Sequence, residues 1–305
     1  MIGYGERKAH VTLLACAALI CVSGCGGKEG DSSFPPSSSA PAPGSSAERS
    51  AEASPLEKYL MLPIGDYSFT AQQMYVISKA EGKLTDSCMR KYGLTYGAKG
   101  FDSPAKYIPG TNRRYGVLNP DVVSKYGYHF PEQAPAVSVP ELSEKEILTL
   151  NGQPGGSAEV KGVRVPQGGC LGQAKGALRG EYSYEKGAGV ARSIASNSFE
   201  DSLTSPNVVA ATSAWAKCMK RGGFSYSTPM QALGAPENSG NRITKREISV
   251  AKTDVACKLK TDLVKVWSNQ EADIQRSMIK NHRKELDLLS KAHRKVLAEA
   301  RSIIH

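Results

Sequence analysis

After Gly240 the chain runs for 65 residues without a glycine or a proline, and Leu259, Leu263, Val266, Ile274, Met278, Leu289, Val296, Ala300 and Ile303 recur along it at helical spacing. Those two residue types end or break helices most readily, so their absence over this length commits the last fifth of the protein to helix. Thr244 and Glu247 form a capping box that marks the start. One unbroken helix from 245 to 303 would be about 90 Å long, more than a compact domain of this size accommodates. A break or a protruding end is expected near Asn281-His282.

Helix signals continue upstream. From about Thr70 to Tyr92, Val76 or Ile77, Ala80, Leu84 and Cys88 form one stripe, and Gly93 supplies a stop. Residues 94–140 are rich in Tyr, Gly and Pro, with one short helix marked by Asn119 as cap, Pro120 at the first position and Gly127 beyond the end. Ser143 and Glu146 make a second capping box for a helix that stops at Asn151-Gly152. Between 153 and 168, Ala158 to Lys161 and Val163 to Val165 alternate apolar with polar around Gly162, as in a hairpin. Ser205-Pro206 opens a helix that carries Val209, Trp215, Cys218 and Met219 and stops at Gly222-Gly223. The expected fold class is mainly α, with Tyr/Gly/Pro-rich loops, little β and a long C-terminal helix.

An internal repeat adds cross-links to this reading. Cys88-Met89-Arg90-Lys91-Tyr92-Gly93-Leu94-Thr95-Tyr96 aligns without gaps to Cys218-Met219-Lys220-Arg221-Gly222-Gly223-Phe224-Ser225-Tyr226. Each copy ends a helix with Cys-Met, a basic pair near the negative end of the helix dipole, and a glycine stop. Each is followed by another cysteine beside a small residue, Gly169-Cys170 and Ala256-Cys257. Four cysteines allow three connectivities, and the repeat favours Cys88–Cys170 with Cys218–Cys257, one bridge per half. The expected organisation is a first half over 56–190 and a second over 191–305.

The N-terminal region speaks to location. Arg7, Lys8 and His10 form a basic stretch, Val11 to Val22 an apolar one, and Val22-Ser23-Gly24-Cys25 closes it with small residues before a cysteine. The apolar run is shorter than the roughly 20 residues that span a bilayer. The ending resembles the lipobox of bacterial lipoproteins, whereas an ordinary secretory signal would leave the cysteine accidental. The resemblance implies that residues 1–24 are a cleaved signal peptide and that Cys25 is lipidated, which places the mature chain on the outer face of the cytoplasmic membrane. Residues from Gly26 to about Pro55 are rich in Ser, Pro and Ala and nearly devoid of aliphatics, which suits a disordered tether. Such a tether holds the folded part about 30 Å from the membrane on average and reaches about 100 Å when extended. The even set of remaining cysteines fits an oxidising compartment.

The net charge is +10, and from Arg242 onward 15 Lys and Arg face 8 Asp and Glu. Outside the cell such a segment faces anionic lipid, wall polymer or another envelope protein rather than nucleic acid. The lipobox, the tether, the two Cys-Met-x-x-x-Gly copies, Arg113-Arg114-Tyr115-Gly116-Val117 to Lys125-Tyr126-Gly127-Tyr128-His129, Gly168-Gly169-Cys170 and Trp215-x-x-Cys218-Met219 together resemble an uncharacterised class of secreted lipoproteins of actinobacteria. The resemblance implies a surface-anchored, disulfide-bonded, largely helical protein, and it carries over no activity, cofactor or catalytic residue.

Chemistry-bearing clusters are sparse. Among Cys88, Cys170, Cys218 and Cys257 the shortest gap is 39 residues, against the close pairs of a zinc site, and bridging would remove all four as thiol nucleophiles. His282 and His293, eleven residues apart, would stand about 16 Å from each other on a helix, as solvent-facing members of a basic face. No metal or cofactor is expected. The strongest candidate for a binding surface is the stretch with Arg113, Arg114, Tyr115, Tyr126, Tyr128 and His129, beside Tyr107, Lys125 and Phe130, because aromatic rings with cations suit sugars, peptides and partner proteins. The alternative is that these tyrosines pack a loop-rich domain short of aliphatics. The expected function is non-enzymatic binding or scaffolding at the cell surface. The competing expectations are a wall-modifying hydrolase using Glu181 and Glu185, and a solute-binding lipoprotein serving a transporter.

Overall fold

The computed structural model describes residues 54–96, 103–131, 142–180 and 184–305, which belong to one compact unit. Cys25, most of the tether, Glu181 and the side chain of Glu185 lie outside the described residues. Among the described residues the chain is mainly helical, with α1 Ala71–Arg90, α2 Pro120–Tyr126, α3 Glu144–Asn151, α4 Gly169–Arg179, α5 Tyr184–Leu203, α6 Pro206–Arg221, α7 Pro229–Gly234, α8 Lys245–Lys260, α9 Leu263–Asn281 and α10 Arg283–Ile304. Strands β1 (Glu159–Val160) and β2 (Val163–Arg164) pair antiparallel around Lys161-Gly162, and both turn residues have positive φ, as the twist of a two-residue hairpin demands.

Local chemistry sets most helix ends. Capping boxes are formed by Thr70 with Gln73, Ser143 with Glu146 and Thr244 with Glu247, and the Asn119 side chain accepts from the amides of Asp121 and Val122. The repeat proves to be one capping device used twice. The Leu94 amide donates to the Met89 carbonyl and the Gly93 amide to Arg90, while Phe224 and Gly223 do the same to Met219 and Lys220. Both glycines sit in the left-handed region, at φ +67° and +87°, which completes a Schellman motif on α1 and on α6. Each motif presents its cysteine to a second helix, and the bridges are Cys88–Cys170 and Cys218–Cys257. Gly168 and Gly169, at φ +72° and +66°, explain the Gly-Gly before Cys170. A Cβ at Gly169 would collide with the Leu150 carbonyl, so only glycine lets the start of α4 come close enough to α3.

The long C-terminal segment breaks in two places. One is His282, as expected between α9 and α10. The other is Thr261-Asp262 between α8 and α9, where Asp262 takes a left-handed backbone at φ +51°. Helix α10 folds back over α1, α4 and α5, α9 lies against α5 and α6, and α2 lies against α8. Leu56, Leu60, Tyr115, Val117 and Leu118 share one core with Trp215, Met219, Val250, Val264 and Trp267. Ile77, Ala80 and Leu178 share another with Val296, Leu297 and Ala300. The division expected at 190/191 therefore needs correction: it falls inside α5, and residues on both sides of it build the same cores. Each half keeps its own disulfide, but neither buries its apolar surface alone.

Candidate contact faces and the buried polar core

Four buried carboxylates, Glu57, Glu247, Asp254 and Glu271, organise the Tyr/Arg stretch. Glu57 accepts from the amides of Ser54 (2.8 Å) and Gly110 (2.6 Å), the Tyr107 hydroxyl (2.7 Å) and Asn119 Nδ2 (2.9 Å). Glu271, on α9, accepts from Arg114 Nε (2.9 Å) and Nη2, the Tyr115 hydroxyl (2.7 Å), Ser198 Oγ (3.1 Å) and Gln275 Nε2 (3.0 Å). Asp254, on α8, accepts from Trp215 Nε1 (2.9 Å), the Tyr128 hydroxyl (3.1 Å) and Lys258 Nζ, which also donates to the Val117 carbonyl (2.9 Å). Glu247 accepts the Tyr128 amide (2.8 Å), and His129 Nε2 lies 3.6 Å from its carboxylate.

Burial sets the electrostatics of this network. It pushes the Tyr115 and Tyr128 phenols well above their ordinary value, and Glu271 and Asp254 push the same way. It pulls the Lys258 ammonium downward, opposed by the Asp254 carboxylate beside it. Arg113 is lowered to about 10 by burial. Its Nη2 donates to the His129 carbonyl (2.8 Å) and its guanidinium lies 5.0 Å over the Phe130 ring, while Nε and Nη1 are screened from water.

The expected binding surface is therefore corrected in part. Tyr115 and Tyr128 are core residues, 0% and 5% exposed, while Arg113 is turned inward onto the His129 carbonyl and Arg114 onto the Glu271 carboxylate. A buried carboxylate needs several strong donors, and phenols and guanidinium groups supply them. Tyr126 and His129 stay half-buried, and Phe130 is 60% exposed, so a rim of the stretch still faces outward. Sequence reasoning missed Asp254, Lys258 and Glu271. The available signal was a charge at a core position of an apolar helical stripe, as Asp254 and Lys258 stand beside Val250, Ala251 and Val255.

The second expected face behaves differently. On α10, Lys284, Leu288, Lys291 and Lys295 are exposed, Leu288 by 54%. Their spacing of four, three and four residues puts them on one stripe about 16 Å long. Arg294 and Arg301 flank it, and Asp287 faces Arg283 at 3.7 Å. On the neighbouring helices, Lys79, Lys83, Lys175 and Arg179 are exposed as well, with Glu81 3.9 Å from Arg179. His293 departs from expectation: it turns inward, its ring 4.0 Å from that of Phe69, and burial lowers it to about 4. His282 is exposed at the helix break.

No protein-family model, curated protein or solved structure matches this chain. Among the described residues, no group of three or more His, Cys, Asp or Glu is placed to hold a metal ion. No described helix is long and apolar enough to cross a membrane. The two disulfides point to an oxidising, extracytoplasmic compartment, since thiols in the cytosol are kept reduced.

Proposed function

We propose that the mature protein is a lipid-anchored binding or scaffolding protein on the outer face of the cytoplasmic membrane, held through Cys25 and contacting an anionic envelope surface through α10. The observation that carries this reading is the exposed Lys284-Leu288-Lys291-Lys295 stripe. Lysines beside an anionic surface contribute about 1 kcal/mol each, and a central leucine adds apolar contact. Glu57, Asp254 and Glu271, each accepting three or more hydrogen bonds, support a structural rather than catalytic use of the Tyr/Arg stretch.

A Cys25→Ser mature chain is the material for the test, mixed with neutral and anionic vesicles and with purified wall in a sedimentation assay. Binding to an anionic surface that falls steeply with salt, and drops about thirtyfold in Lys284→Ala/Lys291→Ala, is the expected result. Salt-independent binding, or binding unchanged in that variant, would overturn the assignment of the face. Intact mass of the protein from its host, with and without Cys25→Ala, tests the anchor separately.

A further inference from the structure

A groove opens in the surface between α5 and α9. Ser198 bonds Gln275 and Ser202 bonds Trp267, so the two helices run antiparallel with the start of α5 beside the end of α9. Toward that end they part into a groove of about 420 Å³, within the range of small-molecule sites. Val190, Ile194 and Met278 make its middle mainly apolar, Lys186 and His282 close one end, and Ser193 and Asn197 complete the lining. Among the described residues, none that lines the groove is acidic. Gly189 keeps the floor low: a Cβ there would meet nothing nearer than Arg192 Nη2 at 4.0 Å.

We infer that this groove binds a single-chain anionic amphiphile, with its carboxylate at the Lys186–His282 end and its alkyl chain over Val190, Ile194 and Met278. Charge complementarity selects the head group, and an apolar floor between two helices suits one unbranched chain better than a broad polar ligand. The inference stands apart from the α10 face, which lies on another helix and requires no groove.

The test uses the Cys25→Ser mature chain carrying ¹³C-methyl methionine, titrated with hexanoate, octanoate, decanoate and decylammonium below their micelle concentrations. A saturable shift of the Met278 methyl, assigned with Met278→Leu, is the expected result, tightening about two- to fourfold per methylene. Lys186→Ala should weaken decanoate about threefold. Gly189→Leu should abolish binding by filling the floor, with its thermal unfolding showing that the chain still folds. A methyl shift that does not saturate, an affinity independent of chain length, decylammonium binding as well as decanoate, or Gly189→Leu binding like the parent would each overturn the proposal.

Discussion

Glu271 shows what a single buried side chain does here, since it gathers Arg114, Tyr115, Ser198 and Gln275 from three parts of the chain. Glu271→Leu leaves the Arg114 guanidinium without its counter-charge, and we expect a loss of about 3 to 5 kcal/mol in urea unfolding. A loss under 1 kcal/mol would show that Arg114 re-partners with water at no cost. Asp254 and Lys258 are a tighter case, because both are fully buried and one turn apart. Lys258→Met should cost about 3 kcal/mol alone, and a double-mutant cycle with Asp254→Asn should show strong coupling; additive losses would mean that the pair does not act as a unit. His293 sets a pH dependence whose sign follows from its lowered pKa. The unfolded chain binds the proton near the ordinary 6.5 and the folded one only near 4, so stability drops as pH falls between those values and is unaffected by this group above them. Melting temperature followed from neutral to acid pH should therefore decline less in His293→Phe than in the parent, and equal declines would assign the effect elsewhere.

At the scale of elements, Gly187 and Gly189 make a matched pair on one helix. A Cβ at Gly187 would stand 2.7 Å from the Glu285 carbonyl and 2.8 Å from Leu289 Cβ, whereas Gly189 has open space. Gly187→Ala should thus push α5 off α10 at a cost of about 1 to 3 kcal/mol. Gly189→Ala should be neutral or stabilise by up to about 1 kcal/mol through helix propensity. Thermal unfolding of the two variants checks this, and equal effects would show that the crossing is not tight. Elements with strong end signals were legible beforehand: α1, α2, α3, α6 and the start of α8 carry caps and glycine stops in their own sequence. Helices α4 and α5 were not, because Gly169, Gly172, Gly176, Gly187 and Gly189 lower their intrinsic propensity and their packing makes them helical.

The whole molecule is closed by long-range contacts rather than by two self-sufficient halves. The bridges span 82 and 39 residues, and the chain-entropy relation assigns them about 4.5 and about 4 kcal/mol. Because both halves share their cores, removing Cys88–Cys170 should lower one cooperative transition for the entire chain; separate melting of the first half would contradict the shared core. The capped helix ends, the disulfide pairing that the repeat favoured and the break at His282 were legible in the sequence, because capping bonds, backbone handedness and the repeat operate over a few residues. Which tyrosines are interior, which carboxylates receive them and where α10 lies were decided only by tertiary structure. The Tyr115–Glu271 bond joins residues 156 apart and the Ile64–Gln275 bond residues 211 apart, and no local pattern encodes a pairing at that distance. A buried charge persists only where such distant donors converge on it, so the polar core came into being with the fold itself.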